Sequence, residues 1–372
     1  MTPIRKNMVL LNPGPVNTSE RVRNAMLRGD ICHREDEFSA IQRNVREMLT
    51  DTFADTATHT AVIFTGSGTA AMEAAISSSL GEGRTMLVVN NGIYGERMSK
   101  IASIYKLQKM ELVYDWDKLP DPGEIEATLE SHPEIEVLAL VHHETTTGLI
   151  NPVKEAGDIC KRLGRVFLLD SISGLGGEEI DIIRNNVDIC LGSANKCIQG
   201  LPGLSFAIVK KEEMKRMADI PARSMYFNII NQWEEQEKGG TPFTPSIPIF
   251  YALEAALEEL REEGVDNRIA RYKKASGTLR EGFKRYGIRP FLPENIRSNT
   301  ITALYLPDGV VYKDLHDRLK KEGFVIYAGQ ARLKQDIFRV ANMGQLTPQD
   351  LANFLEGLGK VLKVLGEVGC RP

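Results

Sequence analysis

No apolar run in these 372 residues approaches the ~18 needed for a membrane-spanning helix. The opening Met1-Thr-Pro-Ile-Arg-Lys-Asn7 also lacks the apolar core of a secretion signal. The expectation is therefore a cytoplasmic chain with no membrane partner. Cysteine is scarce: Cys32, Cys160, Cys190, Cys197 and Cys370 are odd in number and scattered, with no CxxC. That argues for reduced thiols over a disulfide frame. Neither sign of charge dominates, since 46 basic against 50 acidic residues leave −4, and this gives no reason to expect a nucleic-acid partner. The G-x-x-x-x-G-K-[ST] pattern of a P-loop is missing, as are internal repeats and low-complexity tracts. What is left, 42% hydrophobic and 26% charged, is an ordinary globular composition. The length suits two domains, or one large domain with a smaller attachment.

Against this plain background two residues carry a chemical suggestion. The apolar run Arg165-Val-Phe-Leu-Leu-Asp170 reads as a buried strand ending in a carboxylate. A second run, Val187-Asp-Ile-Cys-Leu-Gly192, leads into the small-residue loop Ser193-Ala-Asn-Lys196. Open α/β sheets bind ligands at the carboxyl edge of their strands, which is where both Asp170 and Lys196 fall. Taken singly, such an Asp serves as a helix cap and such a Lys as solvated surface. Together they are what pyridoxal 5'-phosphate (PLP) chemistry needs: an amine for the cofactor aldehyde and an acid for the pyridinium nitrogen.

Three further constellations fall at strand ends. Ala61-Val-Ile-Phe-Thr65 is followed by Gly66-Ser67-Gly68-Thr69 and a helix start. Glycines allow close backbone approach, and a helix N-terminus offers free N–H groups to a phosphate. The same stretch fits the dinucleotide pattern G-x-G-x-x-A, but the next strand ends in Asn90 where a ribose would call for an acid. Beyond that strand, Gly92-Ile-Tyr94-Gly95 sets an aromatic residue where it can lie on a flat ring or serve as an ordinary loop residue. Finally, Val137-Leu-Ala-Leu-Val-His142 runs into His143-Glu144-Thr145-Thr146-Thr147-Gly148. One hydroxyl there is expected to serve a cofactor phenolate oxygen, and the others to cap the helix beginning near Pro152. Adjacent histidines on a strand face opposite ways, so no metal is expected.

From Ala61 to about Lys210 strand-like and helix-like segments alternate, which predicts a mainly parallel sheet covered on both faces. The stretch from Gly239 to Pro248 is too rich in Pro, Thr and Gly for a regular element. Helical patterns follow to about Tyr286. Thr300 to Tyr305, Phe324 to Tyr327 and Ile337 to Val340 read as strands of a compact α+β unit closed by a helix from Thr347.

In this order, these motifs resemble the class V aminotransferases of PLP fold type I over essentially the whole chain, and within them those acting on an aminophosphonate. The resemblance lies in Leu10-Leu-Asn-Pro-Gly-Pro15, Gly66-Ser-Gly-Thr69, Asn91-Gly-Ile-Tyr-Gly-Glu-Arg-Met98, Glu144-Thr-Thr-Thr-Gly148, Ser193-Ala-Asn-Lys-Cys-Ile-Gln-Gly200 and Phe338-Arg339. It implies an α/β fold: a large domain with a mainly parallel seven-stranded sheet plus a smaller C-terminal α+β domain. The implied division is 1–15 as an N-terminal segment contributing to the active site, 16–248 as the PLP-binding domain, 249–285 as connecting helices and 286–372 as the small domain. By resemblance Lys196 is the Schiff-base lysine and Asp170 the pyridinium partner. Tyr94 stacks on the ring, Thr145 bonds the phenolic oxygen, and Ser67, Gly68, Thr69 and Asn195 lie at the phosphate or ring edge. Thr244 reaches the cofactor of a neighbouring subunit in a homodimer with a shared active site. Arg339 holds a carboxylate, with Gly14 and Arg34 as further substrate contacts. Cys32-His33-Arg34-Glu35-Asp36-Glu37-Phe38 departs from the pattern of the catabolic aminophosphonate enzymes and leaves the direction of the reaction open. Two other activities stay open: an alanine- or serine–glyoxylate transaminase, and a PLP lyase of the cysteine desulfurase kind.

Overall fold

A computed structural model describes residues 8–369. Residues 1–7 of the expected N-terminal segment, and Cys370, lie outside the described residues. The largest sheet has seven strands: β1 (His59–Thr65), β2 (Thr85–Asn90), β3 (Gln108–Val113), β4 (Ile135–Val141), β5 (Val166–Asp170), β6 (Ile189–Ser193) and β7 (Leu204–Lys210). Their order is β1-β7-β6-β5-β4-β2-β3, and β7 alone runs opposite to the other six.

The central strands are apolar throughout because both faces are covered. Alternate residues of β4 divide between two cores: Leu138 and Leu140 join one, while Val137, Ala139 and Val141 join the other. Strand β7 divides the same way, Phe206 and Ile208 against Ala207 and Val209. This period of two is the pleat expressed as packing. One core is closed by helices Asp36–Phe53, Val153–Leu163 and Ile247–Glu263, the other by α1 (Gly68–Ser79) and α2 (Ile93–Ile104). Helix Val153–Leu163 ends at Gly164 in the left-handed region (φ +63°), whose N–H returns to the last turn.

The second sheet is antiparallel, with β8 (Ile301–Tyr305), β9 (Tyr327–Ala328) and β10 (Ile337–Ala341) in the order β8-β10-β9. Helices Val265–Arg285, Tyr312–Glu322 and Pro348–Gly369 supply Leu279, Phe283, Leu315, Leu319, Phe354 and Leu358 to its core. Two local readings need correction. The run Phe324 to Tyr327 is not one strand: Phe324–Val325 pairs in parallel with Val9–Leu10, while Tyr327–Ala328 pairs with β10. Fully buried Ile326 sits between the two pairings, so the chain changes sheets around a core anchor. The helix expected from Ile249 begins at Ile247, with Pro248 in its first turn, where a missing N–H costs nothing.

The two units are tied at Glu178, a buried carboxyl in the loop after β5. It accepts from the Asn299 backbone and side-chain nitrogens at 2.8–3.0 Å and from Thr300 Oγ1 at 2.9 Å. That clasp lies immediately before β8, the strand that carries β10 and its Arg339 beside the large sheet.

Candidate active site

Asp170 ends β5 with 3% of its surface exposed, and its Oδ1 accepts from the Ile172 N–H at 2.9 Å. Burial pushes its carboxyl up from 3.8 to about 6, opposed by that N–H and by the charges of Arg97 and Lys196. Strand β6 is its neighbour, and the loop after β6 brings Lys196 to the same edge. Within the loop Ser193 Oγ donates to Asn195 Oδ1 at 2.7 Å. Burial lowers the Lys196 ammonium from 10.5 to about 8, with the cations Arg339 and Arg97 acting in the same direction. A lysine in that range has a usable neutral fraction near physiological pH.

The N-terminal segment crosses this amine. Lys196 Nζ donates to the Pro13 carbonyl oxygen. A Cβ at Gly14 would come within 2.8 Å of Nζ, and Gly14 has φ +108°, so this turn needs glycine on both counts. The expected contact of Gly14 with the site is therefore a contact with Lys196 itself.

At the end of β1, the Gly66 N–H donates to the Gly203 carbonyl at 2.8 Å. Ser67 occupies the N-cap of α1 without bonding a backbone N–H, which leaves the first amides of the helix for a ligand. A Cβ at Gly68 would meet Ile172 at 2.9 Å, so glycine lets the cradle lie against the loop that follows Asp170. Thr69 Oγ1 accepts from Arg97 Nη1 at 3.1 Å.

Tyr94 is the second residue of α2. Its N–H donates to Glu144 Oε2 at 3.1 Å, and the Ile93 N–H donates to Thr146 Oγ1 at 3.2 Å. Glu144 Oε1 also accepts from the Thr146 backbone at 3.1 Å. Of the hydroxyls expected to cap the helix near Pro152, that of Thr146 serves α2 instead, because the tight turn between His143–Glu144 and Leu149–Ile150 folds it back, while Thr147 Oγ1 is buried with no partner among the described residues. Gly92 is bare because any Cβ would stand 2.2 Å from Glu144 Cδ. Glu144 is fully buried, which raises its carboxyl from 4.5 to about 7. The sequence motif Glu144 to Gly148 contains it without indicating this role. An acid directly after a buried strand was the available signal.

Thr145 Oγ1 is buried and has no hydrogen-bond partner among the described residues. Its carbonyl accepts from Arg339 Nη1 at 2.8 Å, which joins the two units at the site. Arg339 is 2% exposed, with further bonds from Nε to the Ala328 carbonyl at 2.9 Å and from Nη1 to Gln330 Oε1 at 3.1 Å. Such burial is not that of a sheet-edge surface arginine. Arg34 and Thr244 are exposed and are not brought to Lys196 by any described hydrogen bond. The Thr244 stretch does pass the end of β1, where the Ser246 N–H meets Thr65 Oγ1 at 3.4 Å.

A mainly parallel sheet whose carboxyl edge gathers a buried acid, a lysine of lowered pKa and a glycine cradle, with a buried arginine from the second sheet beside them, defines a group-transfer enzyme of the aminotransferase kind. The chain belongs to the class-V aminotransferases, whose family model matches residues 17–346. It is 39% identical over 348 residues to the 2-aminoethylphosphonate–pyruvate transaminase of Syntrophobacter fumaroxidans, covering 92% of this chain and 93% of that one. The transaminase of that name from Vibrio vulnificus is 37% identical over 365 residues, covering 96% and 99%. Among solved structures, the alanine–glyoxylate aminotransferase of Nostoc sp. superposes with a TM-score of 0.91 at 26% identity over 97% of both chains. The pyridoxamine–pyruvate aminotransferase of Mesorhizobium loti gives 0.91 at 26% identity, covering 98% of this chain and 94% of that one. No helix among the described residues is long and apolar enough to cross a membrane.

Proposed function

We propose that this chain is a PLP-dependent transaminase that interconverts 2-aminoethylphosphonate and pyruvate with phosphonoacetaldehyde and L-alanine. The carrying observation is Lys196, lowered to about 8 and set at the same sheet edge as buried Asp170. The choice of substrates is supported by relatives of that name at 35–39% identity over most of the chain.

The residues fit PLP. Thr145 has a buried hydroxyl with no partner among the described residues, Gly66 to Thr69 form a cradle at a helix N-terminus, and Asp170 is a buried acid whose carboxyl is raised to about 6. Lys196 would hold the cofactor through its amine. Asp170 would face the ring nitrogen and Thr145 the phenolic oxygen, while Tyr94 would lie on the ring, with Ser67, Gly68, Thr69 and Asn195 at the phosphate or ring edge. When bound, PLP supplies an aldehyde that carries the amino group and a ring that accepts electrons.

The remaining work belongs to the protein. Lys196 Nζ removes the Cα proton of the amino donor and returns a proton on the other side of the transfer. Asp170 stays ionised opposite a cation and keeps that charge in place. Arg339 presents a planar fork to the acid group of the substrate, where two parallel bonds fix orientation as well as charge. Pro13 and Gly14 limit where Lys196 can swing.

Incubation of the PLP-loaded protein with a panel of single amino donors, followed by the cofactor's absorbance, tests the substrate. Amination by 2-aminoethylphosphonate and by alanine is expected to outrun serine and glycine. Faster amination by serine or glycine would favour a glyoxylate-type transaminase and end the phosphonate reading.

A second copy completes the proposed site. Arg34 and Thr244 are exposed in segments that also expose apolar side chains: Leu27 at 82%, and Met225 beside Tyr226, which stacks on Phe243. In the homodimer Thr244 would serve the partner's cofactor phosphate, and Arg34 a substrate anion. Sedimentation is expected to give a dimer; an active PLP-loaded monomer would refute it.

A further inference from the structure

We propose that Arg97 is a positioning residue of the cofactor site, acting through Tyr94 and Thr69; this rests on the reading that the site holds PLP. Arg97 follows Tyr94 by three residues on α2, so the two side chains share one helix face. Its guanidinium carbon stands 4.6 Å from the centre of the Tyr94 ring. A planar cation over an aromatic face is an attractive and orienting contact. It also uses up that face, leaving only the opposite one to lie on a ligand ring. Arg97 therefore selects the stacking face of Tyr94 and holds the ring in register with α2.

The same guanidinium donates from Nη1 to Thr69 Oγ1 at 3.1 Å. A threonine hydroxyl has one hydrogen to give, and arginine has no acceptor to receive it. With an oxygen lone pair engaged by Arg97, the Thr69 hydrogen is left for another acceptor. Thr69 sits in the first turn of α1, beside the free amides, where that acceptor is a phosphate oxygen. One side chain thus commits Thr69 to donating and Tyr94 to stacking, linking the two halves of the cradle. Its charge also reaches Asp170 and Lys196, lowering the pKa of each.

The test titrates the full-length apoprotein with PLP, read by absorbance and by the circular dichroism induced in the bound cofactor. Arg97→Met is expected to weaken PLP binding at least about tenfold, in line with losing a charge-assisted hydrogen bond, and to shrink the induced signal. Arg97→Lys keeps a donor for Thr69 but loses the flat stack, so it should recover affinity more than dichroism. In a Thr69→Val background Arg97→Met should cost less than in the wild type, because both changes remove one shared bond. Wild-type affinity with unchanged dichroism in Arg97→Met, or full additivity with Thr69→Val, would overturn the proposal. If the wild-type chain takes up no PLP, the cofactor reading itself falls, which is a separate outcome.

Discussion

Lys196→Ala is expected to cut turnover by at least about 10⁴-fold, the upper end of what one positioned acid–base group contributes, because covalent attachment is lost as well. Borohydride reduction of the PLP-loaded wild type should leave a stable mass adduct on Lys196 and none in the variant. An adduct on Lys100 or Lys210 would remove Lys196 from the site. The depressed ammonium gives this expectation a pH signature. Only the neutral amine attacks an aldehyde, and burial holds Lys196 near 8 in the ligand-free chain. Covalent uptake of PLP should therefore accelerate as pH rises toward about 8 and level off above it. A plateau reached only near 10 would mean that the amine is solvated.

The parts of this enzyme that could be read from its sequence are those set by short-range pattern. Val166 to Asp170 is apolar up to its last residue, and it folds as a buried strand with the acid at its end. Gly66 to Thr69 follows an apolar run and opens a helix, as glycine and hydroxyl residues favour at an N-terminus. The placement of Lys196 at the edge that carries Asp170 was legible because its loop, Ser193 to Lys196, directly follows an apolar run that folds as the neighbouring strand.

What escaped reading depends on where separate elements meet. Glu144 and Thr146 were visible as polar residues after a strand, but that they would cap α2, fifty residues earlier in the chain, is a tertiary fact. Arg97 lies within Asn91 to Met98, yet its partners Tyr94 and Thr69 belong to different strand ends. The split of Phe324 to Tyr327 between two sheets has no periodic trace, because both halves are short and Ile326 is apolar like its neighbours. Arg34 and Thr244 show a different limit, since their proposed roles require a second copy of the chain.

Asp170→Asn should separate catalysis from stability in opposite directions. An amide keeps the shape and the oxygen that accepts from Ile172, but it cannot hold a positive charge at the ring nitrogen. Turnover is expected to fall at least about a hundredfold, roughly 2.7 kcal/mol of barrier. The apoprotein should respond the other way at neutral pH. Burial raises Asp170 from 3.8 to about 6, so the folded chain binds its proton more tightly than the unfolded chain does. Stability from this group is then fully present below about 4 and declines as pH rises to about 6, because folding opposes its ionisation. A displacement of that size corresponds to about 3 kcal/mol once the carboxyl is ionised in both states. Asp170→Asn removes that cost, so urea unfolding of the apoproteins should show the variant gaining on the wild type between pH 4 and pH 8. The gain should shrink when PLP is bound, since the ring cation then compensates the wild-type charge. Parallel pH dependence in the two apoproteins would mean that Asp170 is not ionised against its surroundings at neutral pH, and its proposed place opposite the ring nitrogen would lose its electrostatic basis.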